Sequence, residues 1–185
     1  MLMGTSLSKI ADGVLRRCGE ELFAECGLSL PCSGAQARSE VGIRDIGGMV
    51  EFSGPRVRGR LVLISNFGVF AQTRPPAIAT PLSEGAARDW MVIRDWSGEL
   101  ANRLLGRVKN RLLSHDVDFQ VSPPVSLSGR GLAMAIEDKT NAQWLSFGRG
   151  EKVVRVVFDF GEDPAAPPAK PSAERPAREG DVIEF

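Results

Sequence analysis

The sequence has little of what nucleic-acid and membrane proteins need. Its 23 Lys and Arg cancel its 23 Asp and Glu, so no basic excess favours phosphate backbones or anionic lipid. No apolar run reaches the roughly 18 residues of a membrane span. The opening MLMGTSLSKIADGVLRRCGEEL lacks the basic-then-apolar order of a secretory leader. These absences set the expectation of a soluble, cytoplasmic protein with no nucleic-acid and no membrane partner. Metal chemistry is thin as well. The chain has one His, His115, and an odd number of cysteines, Cys18, Cys26 and Cys32, whose spacing matches no zinc pattern. Reduced, partly buried thiols and no metal site are expected.

What is present fits one domain. A chain of 185 residues with 43% apolar and 25% charged residues can bury a sizeable core. Leu7, Ile10, Val14, Leu15, Cys18, Leu22 and Phe23 recur at steps of three and four, which predicts a helix over residues 7–25 that stops near Gly27. Residues 28–46 read as loop. Two strand-like runs, 48–52 and 57–65, flank the turn chemistry of Ser53-Gly54-Pro55-Arg56. Asn66 to Gln72 reads as a third strand or the end of that ladder. Residues 73–88, rich in Pro, Ala and Gly, read as a surface connection.

A second amphipathic helix is expected from Asp95 to Ser114, with Asp95 or Ser97 as its cap. Its stripe is Leu100, Ala101, Leu104, Leu105, Val108, Leu112 and Leu113. His115, just past its end, reads as a capping cation. Further strand-like runs cover 117–121, 125–127, 132–136, 143–147 and 152–160. From Gly161 onward five of the twelve prolines and six acids against three bases argue for a disordered tail. The domain boundary is therefore set at 160, with residues 1–160 as the domain and 161–185 as the tail. The apolar end, Asp181 to Phe185, could make that tail a tether for a partner.

The helix-then-strands order occurs twice. Lys9 to Leu22 lays on Glu99 to Leu112 without a gap: Ile10 matches Leu100, Ala11 matches Ala101, and Leu15 matches Leu105. The polar positions differ, because Glu99 and Asn102 of the second helix face Lys9 and Asp12 of the first. This reads as a duplicated unit with both helices on one sheet.

Glu99 and Asn102 lie three apart and so share a helix face. A carboxylate there can bind a cation on a partner. A carboxamide both donates and accepts, which suits it to holding a water. Such a pair orients a hydrolytic water and does little else. Gly106 lies one turn on, where a mid-helix glycine costs about 1 kcal/mol against Ala and fits a closely passing backbone. Lys109 continues the same face towards an acidic surface.

The run Asp95-Trp96-Ser97-Gly98-Glu99-Leu100-Ala101-Asn102-Arg103-Leu104-Leu105-Gly106-Arg107-Val108-Lys109 resembles the signature helix of the CheX/CheC/FliY phosphatases: an acid, then G-E-x-x-N-x-x-x-G-x-x-K. Val121 to Gly129 resembles the S-x-P segment that follows it. The strands around 50–54 and 59–63 resemble the first half of that family. The resemblance implies an α/β (α+β) fold of the CheC-like type, with two pseudo-symmetric helix–strand–strand halves forming one sheet flanked by long helices. It implies hydrolysis of the phosphoryl-aspartate of a CheY-like receiver domain in chemotaxis or two-component signalling. Glu99 would bind a lysine of the receiver and Asn102 would align the attacking water. Asp95, Gly106 and Lys109 would meet the partner, and the receiver would hold the Mg2+, so no cofactor of the chain's own is implied. The alternatives are a non-catalytic module that binds a regulator and a scaffold in a motility complex. A homodimer is also expected, because the apolar run Val153 to Phe158 reads as an edge in need of cover.

Overall fold

The apolar steps of the first helix become α1 (Leu7–Glu25), which buries Ala11, Leu15, Cys18, Leu22 and Phe23. The computed structural model describes residues 7–35, 45–75, 86–129, 142–150 and 152–162. Gly27, at φ +79°, turns the chain out of α1. Only a residue without a Cβ takes that conformation cheaply, and the Leu28 N–H then donates to the Phe23 carbonyl at 2.9 Å.

Among the described residues seven antiparallel strands form one sheet. They are β1 (Cys32–Ala35), β2 (Asp45–Ser53), β3 (Val57–Asn66), β4 (Gln120–Val121), β5 (Val125–Gly129), β6 (Ala142–Arg149) and β7 (Lys152–Glu162). Their spatial order is β1-β6-β7-β3-β2, with β4 and β5 both along the far side of β2. The β2–β3 hairpin closes through the predicted Ser53 to Arg56 turn, where the Gly54 N–H donates to the Val57 carbonyl at 2.7 Å. Alternation sends Ile46, Val50, Phe52, Leu61, Leu63, Val154, Val156 and Phe158 into the core beneath the helices. The opposite face holds a smaller cluster of Val62, Ile64 and Val157.

Several expectations are corrected. Residues 66–72 are not a strand: Asn66 caps a short helix, α2 (Phe67–Gln72), by accepting the Val69 N–H at 2.9 Å. A strong N-cap here outweighs the β-propensity of its neighbours. The reading of 28–46 as loop missed β1 and the first residues of β2. The expected strand over 117–121 is short, paired only at Gln120 and Val121. The run at 153–158 is not an edge, because β7 lies between β6 and β3. The reason for expecting a dimer through that strand is thereby removed. Among the described residues the exposed edges are β1 on one side and β4 with β5 on the other. The expected strand at 132–136 and the tail beyond Glu162 lie outside the described residues.

The second long helix, α3 (Ala87–Leu112), starts two turns before the predicted Asp95 and passes into a 3-10 turn at Leu113–His115. Its N-cap is Ala86, with no side-chain cap bond. Asp95 and Ser97 are interior residues, not caps. Residues 87 and 88 of the expected surface connection are helix, and residues 76–85 lie outside the described residues.

The suggested register of the two helices matches their burial. Ala11 and Ala101, Leu15 and Leu105, Cys18 and Val108, and Leu22 and Leu112 are all fully buried. The helices run antiparallel, joined by Arg107–Glu25 and Arg111–Glu21 ion pairs. Glu21 and Arg111 are themselves equivalent in that register, so their bond crosses the pseudo-two-fold axis.

Candidate functional site

The site is a ridge of α3. Asp95, Glu99, Asn102, Gly106 and Lys109 follow one another at spacings of four, three, four and three, which aligns them on one side of a helix. The buried residues of α3, among them Ile93, Ser97, Leu100, Ala101, Leu104, Leu105 and Val108, lie on the other side. Glu99 is exposed and Asn102 half-buried. Neither makes a side-chain hydrogen bond or ion pair with the described residues. Both polar heads are therefore available to a partner.

Three small residues press this ridge onto the sheet. A Cβ built on Gly48 of β2 would lie 2.6 Å from the Ser97 carbonyl carbon and 2.8 Å from Gly98 Cα, nearer still to the Ser97 oxygen. A Cβ on Gly98 would lie 2.9 Å from Ser126 Oγ and 3.5 Å from Pro124. The backbone just before Glu99 is thus clasped between β2 and the Ser122-to-Ser126 segment. The buried Ser97 hydroxyl sits 2.8 Å from the Gly47 carbonyl and 2.6 Å from the Arg94 carbonyl. It has one proton and donates to one of them at a time. The sequence reading missed Ser97 and Gly48. Two adjacent glycines inside a strand were the available signal of a close backbone approach.

Aromatic and charged neighbours complete the surroundings. The Trp96 indole N–H donates to Thr73 Oγ1 at 2.8 Å, and the buried Thr73 hydroxyl lies 2.7 Å from the Phe70 carbonyl at the end of α2. Arg103 Cζ lies 5.9 Å from the centroid of the Trp96 ring. Glu99 is four residues before Arg103, the favourable order for a helical ion pair, yet the guanidinium is with the indole. Stacking of this kind is worth about 0.5–1 kcal/mol and an exposed i,i+4 pair about 0.3–0.5 kcal/mol, so the stack wins narrowly.

The predicted partner-facing residues behave differently from one another. Asp95 is exposed, 3.7 Å from Arg94. A Cβ on Gly106 would meet nothing within 4 Å, so among the described residues no strand passes close and the space there is open. Lys109 already has a partner in Asp118, at 3.3 Å. In the first helix, Asp12 is paired with Arg16 at 2.9 Å, unlike its counterpart Asn102.

Hydrogen bonding from Arg107 holds the Glu25 carboxyl below its ordinary range. Burial pushes the Cys18 thiol up to about 11 and raises Cys26 as well. All three cysteines are free. Among the described residues no three His, Cys, Asp or Glu side chains gather to hold a metal ion. No described helix is long and apolar enough to cross a membrane.

One antiparallel sheet packed with helices is the fold this chain shares with CheC-like proteins. The family model of the chemotaxis phosphatase CheX matches residues 46–148, more than half of the chain, and the protein belongs to that family. Solved structures agree on the fold. A CheC-like superfamily protein from Shewanella sp. PV-4 superposes with a TM-score of 0.69 at 14% identity, covering 85% of this chain and 99% of its own. CheX from Vibrio vulnificus gives 0.62 at 18% identity, covering 82% and 93%. CheX in the CheX–CheY–BeF3–Mg2+ complex from Borrelia burgdorferi gives 0.65 at 14% identity, covering 81% and 97%. A comparison with curated proteins finds no match.

Proposed function

We propose that this protein dephosphorylates a CheY-like receiver domain, with Glu99 and Asn102 as its working pair. The observation that carries the reading is the exposure of both residues on one ridge of α3, without partners among the described residues, in a chain of the CheX family. The Borrelia relative is known in complex with CheY, BeF3 and Mg2+, which supports a receiver as the partner.

The chemistry asked of the chain is modest. An acyl phosphate is labile, and its hydrolysis releases the aspartate carboxylate and inorganic phosphate when water attacks in line with the leaving oxygen. The Asn102 carboxamide accepts a hydrogen bond from that water and donates one to a phosphoryl oxygen. Glu99 anchors the ridge on a cation of the receiver. Positioning of this kind contributes through geometry rather than proton transfer. The Mg2+ is proposed to be the receiver's own, so its charge stabilises the phosphoryl group without a ligand from this chain.

The test is phosphate release from a phosphorylated CheY-like receiver with wild type, Asn102→Ala and Glu99→Ala. Acceleration by wild type that both substitutions abolish supports the reading. Tight binding without acceleration turns it into a non-catalytic receiver-binding module.

A further inference from the structure

We propose that Trp96 and Thr73 form a latch that holds Arg103 away from Glu99, keeping the Glu99 carboxylate free for a cation on the partner. The proposal rests on the phosphatase reading only for the identity of that cation. Three observations support it. Arg103 is four residues after Glu99, where a helical ion pair forms readily, yet its guanidinium lies over the Trp96 ring. The ring is fixed from behind, because its N–H is bonded to Thr73, which is fully buried at the end of α2. Further along α3 the other basic side chains are paired within the chain: Arg107 with Glu25, Lys109 with Asp118 and Arg111 with Glu21. Arg103 makes no such ion pair among the described residues: its charge is felt by Glu25 of α1, and Glu99 stands four residues before it.

An exposed carboxylate four residues before an arginine can form a weak ion pair that a partner's cation must displace. Diverting the arginine to an aromatic face removes that competition while leaving the cation on the helix. Trp96 is then a positioning residue: it touches no substrate and acts through Arg103. It also couples α2 to the ridge, since Thr73 sets where the indole lies.

The experiment uses the full chain. A double-mutant cycle of Glu99→Gln and Arg103→Met, read by denaturant midpoint, is run in the wild-type and Trp96→Leu backgrounds. No coupling is expected in the wild-type background, and coupling of the size of an i,i+4 pair is expected once Trp96 is gone. Affinity for a BeF3-loaded CheY-like receiver is measured in parallel. Trp96→Leu should weaken it about 1.5- to twofold, the value of one such pair. Arg103→Met alone should leave it unchanged, and Trp96→Leu with Arg103→Met should restore it. A structural defect from losing the ring is not repaired by the second substitution, so restoration separates the latch from mere damage. Coupling already present in the wild-type background overturns the proposal, and that cycle needs no Trp96 variant to fold. Failure of the double variant to recover affinity overturns it too. If the cycle behaves as stated and no receiver binds wild type, the latch stands and the phosphatase reading falls.

Discussion

Gly48→Ala asks how much of the site depends on the fit of α3 against β2. The added Cβ would sit 2.6 Å from the Ser97 carbonyl carbon, about 0.8 Å short of the 3.4 Å at which ordinary contact begins. The obstacle is backbone on both sides, so no side chain can swing away. Gly48 has no positive φ, and Ala therefore suits its strand conformation and recovers about 0.4–1 kcal/mol through the unfolded state. Overpacking of a close-packed interface costs about 1–3 kcal/mol. A net loss of about 1–2 kcal/mol is expected, read as a lower denaturant midpoint with an unchanged m-value. The helix should yield away from β2, because Ser97 and Gly98 of α3 are what the new Cβ meets. Asn102, one turn further along, then moves by a large part of an ångström. Misplacements near 1 Å cost on the order of 100-fold in rate, so receiver dephosphorylation should fall by tens of fold, well beyond what the remaining folded fraction explains. A variant as stable and as active as wild type would refute the idea that this contact seats the ridge.

Other outcomes follow from the same geometry. Gly106→Ala meets only open space among the described residues and should stabilise the helix by about 1 kcal/mol while slowing dephosphorylation several-fold. Unchanged turnover would move the docking face elsewhere. Cys18, raised by burial to about 11, should resist thiol-specific labelling at pH 8 until the protein is denatured, and prompt labelling of native protein would contradict its packing. The depressed Glu25 carboxyl contributes stability above its unfolded value near 4.5, and that contribution is lost as pH falls through the lower folded value. Arg107→Met should therefore be less stable than wild type at pH 7, with the gap closing below pH 4.5. A gap independent of pH would assign the effect to lost packing of the arginine stem.

How far the sequence could be read depended on the kind of signal each element carries. Helix α1 was legible to the residue because its periodicity is strong and Gly27 ends it. Helix α3 was legible only in its second half. Its first two turns, Ala87 to Arg94, include the exposed Met91 and Val92, so no apolar stripe announces them, and the absence of a side-chain cap at Ala86 hides the start. Asn66 was the opposite case: a sound N-cap overlooked because Phe67, Val69 and Phe70 look like a strand. Glu99 and Asn102 were proposed from spacing and resemblance, and both lie on one ridge of α3. Gly48 and Ser97, which seat them, come from segments far apart in the chain and meet only in the fold. The same holds for Asp118, whose pairing with Lys109 no local pattern foretells.

The order β1-β6-β7-β3-β2-β5 has a consequence for how the molecule is held together. Each half lends its outer strand to the other: β1, from the first, completes the hairpin of β6 and β7, while β5, from the second, completes that of β2 and β3. The halves are clasped like two hooks rather than stacked like two blocks. A chain cut between Pro75 and Ala86 would yield pieces that each lack an edge and a lid, and neither should fold until the other is added. The ridge obeys the same rule. Its residues belong to the second half, but α3 lies chiefly across β2 of the first. The candidate site thus sits on one half of the fold while the other half is indispensable as its anvil.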